Sequence, residues 1–60
     1  MHQVQLRQIM RDAEVAYAIQ PIVREHLLTV EQTADALLAC GVERPESVAR
    51  IAIAGIGMSS

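Results

Sequence analysis

Residues 29–41 read TVEQTADALLACG and mark out one helix from start to stop. Thr29 can accept a hydrogen bond from the backbone of Gln32, while the Gln32 side chain reaches back to Thr29, a reciprocal N-terminal cap. Val30, Ala34, Leu37 and Leu38 recur on one face of the turns that follow. Gly41 supplies the residue type that most readily takes the left-handed conformation at a helix end. The spacing therefore predicts a helix over residues 30–40.

Working outward, the next helix start is Pro45, whose missing N–H costs nothing in a first helical turn. Glu46 suits the positive end of the helix dipole and can pair with Arg50 one turn later. Val48, Ile51 and Ala52 are expected to face inward, giving a helix over about residues 45–54. The chain end is ambiguous. Ile51-Ala-Ile-Ala-Gly-Ile-Gly57 alternates like a strand as much as it repeats like a helix, and Gly55 and Gly57 weaken both. Residues 55–60 are expected to form a flexible tail. Gly55-Ile-Gly57 is half of a phosphate-binding G-x-G-x-x-G loop, but its third glycine slot falls on Ser60 with no helix after it.

On the N-terminal side, residues 3–19 carry Leu6, Ile9, Met10, Ala13, Ala16 and Tyr17 at i, i+3, i+4 and i+7 spacing. Gln3, Gln5, Arg7, Gln8, Arg11, Asp12 and Glu14 occupy the other faces, and only Val4 and Val15 break the pattern. Arg11 and Glu14 stand one turn apart and can pair. Pro21 leaves two alternatives. The helix either ends near Ile19 and restarts with Pro21 in a first turn, or runs on with a kink to about Leu28. Ile19, Val23 and Leu27 continue the apolar stripe and favour the kinked helix.

Residues Ile51-Ala52-Ile53-Ala54-Gly55-Ile56-Gly57 resemble the opening strand of polyketide ketosynthases, which often begin I-A-I-x-G-I-G. In such synthases a short helical docking segment commonly precedes that strand and binds the tail of an upstream subunit, often as a helical dimer. The resemblance covers about ten of the 60 residues. It departs after Gly57, where Met58-Ser59-Ser60 replace a Cys-Arg-Phe-like continuation. It implies a helical docking segment and carries over no active-site residue.

Composition limits the function. The chain has 60 residues, 52% of them hydrophobic, and a formal net charge of −2. A domain of this size buries only about 60% of the surface its unfolded chain exposes. Small folds commonly compensate with disulfides or a metal. Here Cys40 is the sole cysteine, and His2, His26 and Cys40 lack the clustered spacing of a metal site. The apolar content exceeds what so short a monomer hides, so another chain is expected to cover part of it, most simply a second copy. Lys, Phe and Trp are absent, and five scattered arginines face seven acids, which leaves neither a basic stripe nor an aromatic platform for nucleic acid. No uncharged run approaches the roughly 20 residues of a membrane helix, and the N-terminus lacks the order of a signal peptide. A single unpaired cysteine suits a reducing cytoplasm.

Catalytic chemistry is poorly supplied. The carboxylates Asp12, Glu14, Glu25, Glu31, Asp35, Glu43 and Glu46 read as solvated exterior. Cys40 sits in a last helical turn, where the dipole opposes a thiolate, and reads as a buried or half-buried small hydrophobe. His26 reads as a helix-end or surface residue, with a pH-sensitive interface group as the sharper alternative. Met1, Met10 and Met58 read as core or interface filler.

Residues 30–54 also have the outline of a helix-turn-helix. Counting from Gly41, the slots for a small residue before the turn and a branched one after it fall on Leu37 and Ser47, each one place from Ala36 and Val48. One residue rotates a helical side chain by about 100°, well off the core. Arg44 and Arg50 are the main groups that could engage phosphate or guanine.

The expected molecule is an all-α protein of two to three helices, one domain over residues 1–60, paired as a homodimeric helical bundle. Its expected function is protein–protein interaction, as a docking segment, adaptor or inhibitor, without catalytic, cofactor-binding or metal-binding residues. A dimeric DNA-binding regulator is the alternative. The expected interface joins Leu6, Ile9, Met10, Ala13 and Tyr17 with the tail residues Ile51, Ile53, Ile56 and Met58, and Tyr17 is its anchor because aromatic side chains dominate interface energies.

Overall fold

The computed structural model describes residues 3–57, with side chains from Leu6 onward. It contains three helices and, among the described residues, no strand: α1 (Gln3–His26), α2 (Val30–Ala39) and α3 (Pro45–Gly55). At 1.5 Å per residue the 24 residues of α1 span about 36 Å. That length sets the long dimension of the 35 × 23 × 17 Å molecule. The shorter helices fold back along it, with α3 in the middle packing on both α1 and α2.

Of the two alternatives at Pro21, the continuous helix is the one formed: α1 runs through Pro21 to His26. Proline removes the bond to the carbonyl four residues back. Burial on either side holds the helix together, since Val23 is almost fully enclosed and Ile19 packs against the core cluster. Leu27 does not continue the inward stripe. It adopts φ +53° and is exposed. The Leu28 N–H bonds back to the Val23 carbonyl at 3.1 Å, closing α1 with a left-handed terminal turn. A leucine in that conformation is strained, because its Cβ crowds the following carbonyl.

The cap at Thr29 forms in both directions. Gln32 N–H donates to Thr29 Oγ1 and Thr29 N–H donates to Gln32 Oε1, each at 3.0 Å. Gly41, at φ +85°, follows the last turn of α2, and the Val42 N–H donates to the Leu37 carbonyl at 3.0 Å. Pro45 opens α3. Residues 51–55 are its last turns rather than a strand, and Ile56-Gly57 turn away from it. The rest of the expected tail, Met58 to Ser60, lies outside the described residues.

The core is built mainly from small side chains. Ala16, Ala49 and Ala52 are fully enclosed, with Ala34, Leu37 and Val48 completing the cluster and Val15, Ile19, Val30 and Val42 at its edge. Alanines facing each other across α1 and α3 let the two backbones approach closely, as close packing of small residues requires. Several residues differ from expectation. Leu38 is exposed although it shares a helix with Leu37, because α3 covers only one side of α2. Ile51 is partly exposed, while Ile53 takes the inward position. Cys40 is exposed, since the chain leaves α2 there and nothing packs over it.

Asp12 is the other departure. It is buried rather than solvated, and Arg44 holds it. Arg44 Nε and Nη2 both donate to Asp12 Oδ2, at 2.9 and 2.6 Å, and Arg44 Nη1 donates to Gln8 Oε1 at 3.0 Å. Gln8 in turn donates to Glu43 at 3.2 Å. This network ties α1 to the loop before α3. Charge-assisted bonds of this kind compensate a carboxylate for lost hydration.

Candidate interaction surface

Two apolar seams run along α1, and the fold uses one of them. Asp12, Ala16, Ile19 and Val23 step by four, three and four residues, as do Leu6, Met10, Ala13 and Tyr17. At about 100° per residue the two seams lie roughly 120° apart around the helix. The first is packed against the rest of the molecule. The second faces solvent: Leu6 is 51%, Met10 62% and Tyr17 76% exposed, with Ile9 exposed beside them and Ala13 between. Tyr17 therefore does not pack within its own chain.

The helix brings these five expected interface residues together on one surface. The described tail residues divide between core and surface. Ile53, at 3% exposure, belongs to the core and is withdrawn from any partner; Ile51 is exposed and Ile56 is half-buried. Met58 lies outside the described residues. Ile22, Leu27 and Leu38 are further large apolar side chains at the surface. A second signal on α1 was available in the sequence. Val15, which breaks the outer stripe, lies beside Ala16, Ile19 and Val23, and together they mark the face the fold buries.

A groove between α2 and the start of α3 also has apolar lining. Val30, Ala34 and Leu38 line it together with the carboxylates Glu31, Asp35 and Glu46. It offers a surface for apolar and basic side chains. Besides the half-buried Arg44–Asp12 pair, Arg50 stands 4.0 Å from Glu46 on the solvent side of α3. Arg11 and Glu14 do not form the pair their spacing allows. His26 is exposed in the last turn of α1, where a positive charge complements the helix dipole.

Among the described residues, no three His, Cys, Asp or Glu side chains come together to hold a metal ion. No helix there is long and apolar enough to cross a membrane. Comparison of the chain with protein-family models, with curated proteins and with solved structures found no match.

Proposed function

We propose that this chain is a protein–protein interaction module that works as a self-associated pair, closed through the outer seam of α1. The carrying observation is the exposure of Leu6, Ile9, Met10 and Tyr17 in a row on one helix face. Water contact with such a row is unfavourable by roughly 25 cal/mol for each Å² of apolar area that could be covered. A second copy carries the complementary surface by construction, which makes a two-fold pair the simplest cover. The groove between α2 and α3 lies on other elements and stays open to a client with apolar and basic side chains.

The outline of a DNA-reading motif in α2 and α3 gains no support from the charges. Arg44 is committed to Asp12 and Gln8, and Arg50 lies beside Glu46. Sedimentation equilibrium tests the proposal. The native chain should run as a dimer, and Met10→Glu and Tyr17→Ala should run as monomers with unchanged helical circular dichroism. A native chain that stays monomeric at millimolar concentration removes the proposal. A mobility shift of mixed DNA at low salt would favour the regulator instead.

A further inference from the structure

We infer that the two copies pair α1 against α1 in antiparallel orientation, with Leu6 of each copy opposite Tyr17 of the other and Met10 opposite Ala13. This rests on the self-association proposed above and adds its direction and register.

Three observations point to it. First, the four-three-four spacing of Leu6, Met10, Ala13 and Tyr17 is that of a coiled-coil seam, and its next two positions are Gln20 and Arg24. A parallel pair would set Arg24 against Arg24 of the second copy in the seam, a like-charge contact. Antiparallel pairing centred between Met10 and Ala13 separates the two Arg24 positions by about 38 Å along the axis, at 1.5 Å per residue. It also overlaps only the apolar segment, leaving Gln20 and Arg24 at the ends.

Second, the sizes match in this register. Ala13, the smallest seam residue, leaves room over its own position, at the edge of a depression that Arg7, Gln8, Met10, Arg11 and Glu14 form with Glu43. The long, flexible Met10 of the second copy fills that space, a small residue facing a large one. The two-fold axis creates the contact twice.

Third, the charges on the flank match. Arg7 and Glu14 are exposed, lie on the same side of the seam, and have no ion-pair partner among the described residues. In an antiparallel pair the same flank of each helix meets the other. Arg7 of one copy then lies beside Glu14 of the second, and Glu14 beside its Arg7. In a parallel pair that flank meets the opposite one, which carries the exposed Ile9 and the enclosed Ala16, neither of them a charge that could pair with Arg7 or Glu14. Antiparallel alignment also opposes the two helix dipoles.

Cross-linking separates the orientations. In a Cys40→Ser background, Leu6→Cys and Tyr17→Cys chains are prepared separately, then oxidised alone and mixed. The antiparallel register gives a disulfide only in the mixture. Within each pure sample the two cysteines are about 16 Å apart along the axis, beyond the roughly 7 Å Cα separation a disulfide spans. A parallel pair gives the reverse, with cross-links in the pure samples. Charge exchange is a second readout that leaves the seam intact. Arg7→Glu or Glu14→Arg alone should raise the dimer dissociation constant by about tenfold, through loss of two attractive contacts and gain of two repulsive ones, and the double exchange should restore it. A dimer that cross-links in the pure samples, or does not recover in the double exchange, overturns the antiparallel register and leaves self-association standing. A native chain that sediments as a monomer overturns both.

Discussion

The inward and outward faces of α1 differ in the size of their side chains more than in their polarity. Inward lie Asp12, Val15, Ala16, Ile19 and Val23, of which Ala16 and Val23 are enclosed. Outward lie Leu6, Ile9, Met10 and Tyr17, which are bulkier and exposed. A helix packs closely on a neighbour where its side chains are small, and the enclosed Ala49 and Ala52 of α3 complete that contact. The bulky side would hold α3 further away and leave gaps too small for water to fill, which forfeits dispersion energy. The face richest in apolar area is thus the one left for another chain.

One substitution made on both faces breaks this comparison most directly. Ala16→Leu inserts three carbons where no space exists and should destabilise the fold by about 3 kcal/mol, enough to unfold much of so small a domain. Ala13→Leu, three residues away on the outer seam, should leave the unfolding free energy of the dilute monomer within about 0.5 kcal/mol of native. Urea unfolding at micromolar concentration reads both. Equal effects would mean that the two faces are not distinct.

The polar member of the inward face gives the next largest effect. Arg44→Ala leaves the buried Asp12 carboxylate with no cation and should cost about 2 kcal/mol, tempered by the partial exposure of the arginine. Adding Asp12→Ala to that variant should recover part of the loss, because an absent charge costs less than an unpaired one. A double variant less stable than Arg44→Ala alone contradicts the clamp.

The smallest effect sits where α1 ends. Leu27→Gly relieves the positive φ and removes little packing, since Leu27 is 73% exposed. It should raise stability by about 0.5 kcal/mol, the relief of strain being partly offset by the greater freedom of glycine in the unfolded chain. Thermal unfolding should show a rise of a few degrees in the midpoint. A fall would show that Leu27 makes a contact that depends on its side chain.

Much of the architecture is legible because its signals are local. Thr29 with Gln32, Gly41, and Pro45 with Glu46 each act within one turn of backbone, and all stand where their chemistry places them. Pro21 is less legible, because a helix survives an internal proline only when burial holds both sides, and burial is not a local property. Asp12 reads as solvated until Arg44, 32 residues away, is folded against it. Ile51 and Ile53 illustrate the same limit. Either could point inward on an alternating pattern, and the rotation of α3 against α1 decides which does.

The sequence by itself determines two to three helical segments, the start and stop of α2, the start of α3, and a high apolar content, because propensity, capping and composition are written within a few residues. Only the tertiary structure decides which of the two seams on α1 is enclosed. That choice depends on how closely α3 can approach, and the fit of Ala49 and Ala52 against Ala16 exists only once both helices are in place.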